Sequence, residues 1–450
     1  MSALAMFAQD MGYEVYGTNV DSKGMVDLLK RRRIKVFIGH SEKNWLDPDL
    51  LVVSSAIPKD NPEILRAKSE GVPVVRRLDF LSELSKDMKK IGITGTDGKT
   101  TTTAMISQIF DHAETDPTLL LGGIHPKYSN YRRGRGVYLI AEVDESDGSF
   151  SDFISDVSVI TNIRYDHLNN YGGRVERYLN HFNSFIKNTT DLIVFNNDDP
   201  ASAEMMGRMR RAVSFGLSKN ADYRAINIDP SGLKYRFDLM VRDKTFRNFE
   251  IPIPGIHNIY NALSAIAVSM EMGIDVEKIR EALMRFRSVD RRFTIRYSDD
   301  DRRIYVVDDY AHTPTEITYT LITAQEIFRE EKIIAIFQPH RYSRLAIENG
   351  RFAISLQLAD EIIVTKVYSA YEEEIPGITA YEIHEALKKA GKKSEYVEDF
   401  EELGNILNTR VEESTVFLFL GAGDISDFSR EFVKKIPNLV GISTHHENFD

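Results

Sequence analysis

The chain has 450 residues, 42% apolar and 28% charged, with no cysteine and a formal net charge of −11. That length exceeds one hydrophobic core and implies two or three domains, and the absence of cysteine excludes disulfides and thiolate metal sites. The acidic balance disfavours nucleic acid as the main partner, and no apolar run has the length of a membrane span. No signal-peptide pattern opens the chain, so a cytoplasmic location is expected.

Residues 1 to 88 alternate helix and strand: Ala3–Met11, Glu14–Gly17, Gly24–Arg33, Lys35–Ile38, Leu50–Ser54, Pro62–Glu70 and Val72–Val75. This is a doubly wound, Rossmann-like α/β pattern with a parallel sheet, incomplete because it opens on a helix where a central strand and glycine turn are usual. The basic run Arg31-Arg32-Arg33 reads as the solvated C-terminus of a helix, where cations suit the dipole.

The stretch Ile91-Gly92-Ile93-Thr94-Gly95-Thr96-Asp97-Gly98-Lys99-Thr100-Thr101 reads as a buried strand, a glycine turn and a helix start. Helix-start amides and glycine turns hold phosphate, with a lysine on the outer phosphates and a hydroxyl for Mg²⁺. The spacing is shorter than the usual phosphate loop, with a glycine three rather than five residues before Gly98-Lys99. Glycine and threonine clusters also make ordinary turns, but that leaves Lys99 beside four threonines unexplained, so an ATP site is expected. Asp97 lies between the glycines, and a carboxylate near triphosphate is repelled. Its side chain is expected to point away or to meet Mg²⁺ through water, and Asp97→His to be nearly neutral.

Strands at Thr118–Leu121 and Val137–Val143 follow, the second running into Glu142-Val143-Asp144-Glu145-Ser146-Asp147. Oxygen side chains at a strand end suit Mg²⁺; alone, the stretch reads equally as a solvated acidic loop. A further strand ends at Ile160-Thr161-Asn162-Ile163, before Asp166-His167. A hairpin at 233–241 and 245–253 precedes Pro254-Gly255-Ile256-His257-Asn258-Ile259-Tyr260-Asn261, which opens a helix. One asparagine there is explained by capping, whereas two a turn apart suit an adenine edge.

From 294 to 450, strands near 304–307, 332–337, 361–367, 394–397 and 415–420 alternate with helices, a second doubly wound pattern. Polar loops follow three of them: Asp308-Asp309-Tyr310-Ala311-His312-Thr313-Pro314, Gln338-Pro339-His340-Arg341-Tyr342-Ser343-Arg344 and Gly421-Ala422-Gly423-Asp424. One such loop is a turn with a cap (Thr313 or Asp424); three on one sheet make a site. Arg341 and Arg344 offer planar forks for carboxylate or phosphate. The tail with His445-His446 reads as disordered.

The short phosphate loop, Glu142-Val143-Asp144-Glu145-Ser146-Asp147, Asp166-His167, His257-Asn258 with Asn261, and Asp290-Arg291-Arg292-Phe293 together resemble the Mur ligase family, which adds amino acids to peptidoglycan precursors. The acidic motif matches the family's muramate branch, and the resemblance implies joining of L-alanine to UDP-N-acetylmuramate. Gly12-Tyr13-Glu14-Val15 with Gly17, Ile38-Gly39-His40 and Asn61-Pro62-Glu63 match that branch too. There, Met-Ser-x-Leu-Ala follows a strand and a Gly-Ile-Gly-Gly-Ile-Gly turn. Met1 therefore reads as an internal methionine, implying a misassigned start or a truncation, a loosened first domain and weak binding of the UDP part.

The resemblance implies three domains: a UDP-substrate domain (1–88), a central P-loop ATPase-type domain (89–293) and a C-terminal Rossmann-like domain (294–450). It implies ATP bound by Gly95, Thr96, Asp97, Gly98, Lys99, Thr100, Thr101, His257, Asn258, Asn261, Arg292 and Asp309, and Mg²⁺ on Thr100, Glu142 and His167. Lys99, Arg292, His312, Arg341 and Arg344 would serve the chemistry, the last two by holding substrate carboxyl groups. Related ligases carry a carbamylated lysine where Phe182 stands, and the alanine branch lacks it. A monomer or weak homodimer is expected. The alternatives are a related amide ligase acting on a recycled peptide or folate, and a nucleotide-binding protein without ligase activity.

Overall fold

The computed structural model describes residues 1–439 except 23, 147, 166, 167, 207–210 and 349. It divides into two compact units, Met1–Asp229 with Arg236–Pro252 and Asn258–Val289, and Pro230–Tyr235 with Ile253–His257 and Asp290–Asp450. Among the described residues no helix is long and apolar enough to cross a membrane.

The first unit is built on strand Lys89–Thr94, which pairs in parallel with Tyr138–Glu142 on one side and Ser155–Ile160 on the other. The register sets Ile93 opposite Glu142 and Thr94 opposite Ile160, so three strand ends come level. Thr118–His125 continues the sheet beyond Tyr138–Glu142, with Ser129–Arg132 antiparallel at its edge. Thr189–Asn196 and then Ala212–Gly216 continue it on the other side. Ile91, Ile93, Leu139, Ile140, Val157 and Val159 are all buried, as a parallel sheet covered on both faces requires. The expected hairpin forms as Lys234–Val241 and Lys244–Ile251.

The N-terminal residues give the expected elements but not one sheet. Tyr16–Asn19 pairs with Lys35–Ile38, and Leu51–Val53 pairs with Val74–Arg76, as two separate ladders. No residue of these four strands is fully buried, in contrast to Lys89–Thr94. Helix Ser2–Asp10 instead buries Leu4, Met6, Phe7 and Ala8 in a cluster shared with Leu78, Leu81, Tyr131 and Leu139. Asn130 donates to the Ser2 hydroxyl (2.8 Å), and the Tyr131 hydroxyl donates to Asp10 (2.9 Å), which also pairs with Arg32 (3.2 Å). Arg32 of the basic run is thus an ion-pair partner as well as a helix C-cap.

The second unit holds a six-stranded sheet in the order Thr294–Asp299, Ile304–Asp309, Thr415–Leu420, Lys332–Phe337, Glu361–Thr365, Lys393–Val397. All neighbours are parallel except the first pair, an antiparallel edge strand absent from the sequence reading. Thr294–Asp299 carries Arg296 and Tyr297 and is half-buried, so it lacks the apolar run that marks its neighbours. Two apolar clusters cover the two faces, one around Val307, Ala335 and Leu418, the other around Val306, Ile334 and Phe417. Helix Pro314–Ile327 starts with a capping box between Thr313 and Glu316.

At the N-terminal ends of these strands the buried Glu361 carboxylate meets Lys332 (2.5 Å), Lys393 (2.5 Å) and Arg410 (3.1 Å). Burial opposes its charge, but the two lysines outweigh that and hold the carboxyl below its usual range. Removing that charge leaves Lys332 and Lys393 without it and leaves Arg410 with Glu395 as its carboxylate partner. Because the lysines are partly solvated, we expect Glu361→Gln to cost about 2 kcal/mol, below the full value for a buried pair. Urea unfolding of the variant at pH 7 checks this, and an unchanged midpoint contradicts it.

Candidate functional site

Each unit gathers polar side chains at the C-terminal ends of its strands. In the first unit the loop Gly95–Gly98 leaves strand Lys89–Thr94 and turns into helix Lys99–His112. Gly95 has φ +126° and Gly98 φ +81°. A Cβ at Gly95 would collide with the Thr161 hydroxyl and the Asn162 backbone; one at Gly98 would collide with the Asn261 side chain. Only glycine permits both the conformation and the approach.

The neighbouring strand end braces this loop. Thr96 N donates to Asn162 O (3.1 Å), Asp97 N to Asn162 Oδ1 (3.0 Å), and Thr161 Oγ1 and Asn162 Nδ2 donate to Asp97 O (2.6 and 3.0 Å). Arg164 N donates to Thr96 Oγ1 (2.9 Å). The Asp97 carboxylate lies 3.0 Å from the Arg164 guanidinium. Asp97 therefore has a protein cation as partner, which the sequence reading did not anticipate.

Lys99 Nζ donates to Gly95 O (2.6 Å) and Thr96 O (3.0 Å) and lies 2.7 Å from Glu145. Burial works against the ammonium, but Glu145, Asp144 and Glu142 outweigh it and keep it protonated. Burial pushes the Glu145 carboxyl up to about 8, with Lys99 pulling it back. Thr100 Oγ1 donates to Glu142 (2.8 Å), which also accepts from Gly122 N (3.1 Å). The two proposed metal ligands Thr100 and Glu142 thus converge, while His167, with Asp147 and Asp166, lies outside the described residues. Thr101 is buried in the first turn of the helix.

The residues fit a polyphosphate. Helix Lys99–His112 has no side-chain cap, so its first amides are open to an anion, and Lys99 stands at its first position. Asn258 and Asn261 are both buried, and Asn261 Nδ2 donates to Asn258 Oδ1 (3.0 Å) while Asn261 Oδ1 accepts from Thr102 (3.3 Å). The pair is hydrogen-bonded to itself and to the phosphate-loop helix, so these groups have partners before any base is bound. Tyr178 and Phe182 are core residues stacked edge to face, 5.2 Å apart.

In the second unit the three polar loops do come together. Gln338 Nε2 donates to Asp424 (2.8 Å), Gly421 N donates to Asp309 O (3.1 Å), and the His312 and His340 rings stand 5.7 Å apart. Asp309 accepts from Phe293 N (2.7 Å), Ala311 N (2.8 Å) and Thr320 Oγ1 (3.2 Å). Its present partners are thus internal, and burial raises its pKa. Arg292 lies 4.0 Å from Glu316 and over the Tyr310 ring at 5.2 Å. His257 falls in this unit, 6.1 Å from Tyr319, and is pushed down to about 4 by burial and the Arg292 charge.

Arg344 donates to His340 Nδ1 (3.3 Å), and Arg341 takes φ +70°, an uncommon and strained conformation for a residue with a Cβ. His340, stacked on Tyr368, was not singled out from sequence; its loop was. Arg291, to which the sequence reading assigned no role, donates to three carbonyls of the Gly421–Gly423 loop. A guanidinium bonded to main-chain carbonyls has no partner in sequence to reveal it.

Burial first, then nearby cations, holds His312 down to about 4 and His340 to about 3, so both are neutral at pH 7. Unfolded histidine titrates near 6.5. Groups with depressed folded values contribute stability that is present above the unfolded value and lost as pH falls toward the folded one. The second unit should therefore lose stability between about pH 6.5 and pH 4, and His340→Gln should flatten that loss. Urea midpoints across this range test it; a flat wild-type profile contradicts it.

Three family models match in sequence: "Mur ligase family, catalytic domain" over residues 1–89, "Mur ligase middle domain" over 93–269 and "Mur ligase, glutamate ligase domain" over 291–423. The chain is 44% identical over 442 residues to the UDP-N-acetylmuramate–L-alanine ligase of Thermotoga neapolitana, covering 97% of this chain and 94% of that one. Its fold matches the crystal structure of UDP-N-acetylmuramate-alanine ligase from Thermotoga maritima with a TM-score of 0.86 and 39% identity, covering 97% and 96%. A murein peptide ligase from Psychrobacter arcticus shares the fold at 20% identity, with a TM-score of 0.67 and coverage of 99% and 97%. With its phosphate loop on the central strand and a second doubly wound sheet after it, this chain belongs to the Mur ligase family.

Proposed function

We propose that this chain joins L-alanine to UDP-N-acetylmuramate with consumption of ATP, a step of peptidoglycan precursor synthesis. The observation that carries the reading is the near full-length relationship to ligases of that name, on a chain whose phosphate loop has Lys99 in place. The three-domain division near residues 88 and 293 is part of the same reading, as are a cytoplasmic location and a monomer or weak homodimer.

A carboxylate is a poor acyl donor, so an oxygen of the lactyl carboxylate attacks the γ-phosphorus and ADP leaves. The alanine nitrogen then attacks the resulting acyl phosphate carbon, and phosphate departs. Such transfer is catalysed by positioning and by charge that meets the transferring phosphoryl. Lys99, released from Glu145, would span the outer phosphates, and Arg292 would add a second cation. Thr100 and Glu142 supply the hydroxyl and carboxylate that suit Mg²⁺, which would neutralise phosphate charge when bound. Arg341 and Arg344 would hold carboxyl groups. His312, with Nδ1 donating to Tyr310 O (2.9 Å), presents Nε2 as an acceptor for the incoming amine.

A ligase acting on a recycled peptide is the second reading, and the 44% identity to an alanine ligase over nearly the whole chain disfavours it. The test is ADP release by the purified protein with ATP and UDP-N-acetylmuramate, offered alanine, glutamate or tripeptide in turn. Turnover with alanine alone is expected, and turnover with tripeptide alone overturns the proposal. Lys99→Ala should lower kcat by about 10³-fold or more, since no other side chain of the loop can neutralise the outer phosphates. Substantial ADP release by that variant would show the phosphate-loop assignment to be wrong.

A further inference from the structure

Arg291 has a placement that the nucleotide reading leaves unexplained. Its Nη2 donates to Gly421 O (2.5 Å) and Gly423 O (3.1 Å), and its Nη1 to Ala422 O (3.3 Å). Its Nε has no acceptor among the described residues, and Asp308 and Asp290 act on it through space. Holding a cation on neutral carbonyls with one donor shielded from water is a costly way to fill space. It is an effective way to fix geometry, because a planar fork fits only one arrangement of acceptors.

Both partners of this clasp are already constrained. A Cβ at Gly421 would meet Gln338 O at 2.8 Å, and one at Gly423 would meet Tyr368 Cβ at 2.8 Å. The loop therefore lies directly on the segment that leads to His340 and Arg341. On the other side, Arg291 and Phe293 take φ +63° and +47°, in the left-handed region that residues with a Cβ avoid. Tyr310 N donates to Arg291 O (2.8 Å) and Phe293 N to Asp309 (2.7 Å), pinning the peptide on both sides of Arg292. The guanidinium groups of Arg291 and Arg292 both approach the Tyr310 ring, at 4.8 and 5.2 Å from its centroid.

We infer that Arg291 is a positioning residue, which locks the Arg291–Phe293 peptide to the Gly421–Gly423 loop so that Arg292 keeps a single direction. The lock is a property of the free protein. Its kinetic consequence rests on the reading above, in which Arg292 meets the transferring phosphoryl group.

The experiment has two arms. In the first, amide hydrogen exchange is followed in the free, full-length protein and in Arg291→Gln. Faster exchange by about tenfold or more is expected in segments 291–293 and 421–424, with the strand Lys332–Phe337 unchanged. Unchanged exchange in both segments, or an increase spread through the whole unit, overturns the lock. In the second arm, kcat is measured for Arg291→Gln, Arg292→Gln and the double variant. Arg291→Gln should lose about 10²-fold, the scale of a misplaced catalytic group. It should lose little more in the Arg292→Gln background, while Arg291→Lys recovers part of the rate. Additive losses would show that Arg291 does not act through Arg292. A wild-type protein that fails to ligate alanine would refute the functional reading, and the exchange arm would still decide whether the lock exists.

Discussion

The buried contact between Lys99 Nζ and Glu145 (2.7 Å) is the interaction on which the shape of the phosphate loop depends. An ammonium at the first position of a helix sits where the dipole is least favourable to it. It is held there by two loop carbonyls and by a carboxylate that is 1% exposed. The carbonyls of Gly95 and Thr96 can point at Nζ because Gly95 takes a backbone conformation closed to other residues and because Thr161 and Asn162 hold the loop from the far side. The pair thus keeps the phosphate loop in shape before phosphate arrives. In the proposed reading, an incoming anion would not create the site but would compete with Glu145 for a cation already in place.

The acidic motif lies where it can meet that ammonium. Glu142, Asp144 and Glu145 stand at the end of the strand next to the phosphate loop, in a register that puts Glu142 opposite Ile93. Three carboxylates around one ammonium would repel one another strongly if they shared no other partners. Glu142 is satisfied by Thr100 and Gly122, and Asp144 by the Ser146 backbone and hydroxyl. Glu145 is left with Lys99 as its close cation; burial raises its pKa and Lys99 only partly offsets that.

The strands, the phosphate loop and the strand-end loops of the second sheet were legible in the sequence because each is local. A buried parallel strand is a short apolar run, and its functional loop follows directly. What escaped is non-local. Asp97 and Arg164 are 67 positions apart and meet only because two parallel strands end level. Asn258 and Asn261 showed their helical spacing, yet nothing in that spacing tells that they bond to each other and to Thr102. The N-terminal strands read as an incomplete parallel sheet, and the two separate ladders accord with that reading.

The second unit handles charge by a different rule from the first. Its site contains Arg291, Arg292, Arg341 and Arg344, and such a concentration would resist assembly if its histidines were also charged. Burial and those same arginines keep His312 and His340 neutral, so each ring serves its neighbours as a hydrogen-bonding group. His340 accepts from Arg344, His312 donates to Tyr310, and Glu316 offsets Arg292 while capping the following helix. The cations are thereby fixed by carbonyls, neutral rings and a capping carboxylate more than by dedicated ion pairs. In the proposed reading, a carboxyl or phosphoryl group entering such a site would meet positive charge whose direction is already set, which is the condition for charge stabilisation without reorganisation.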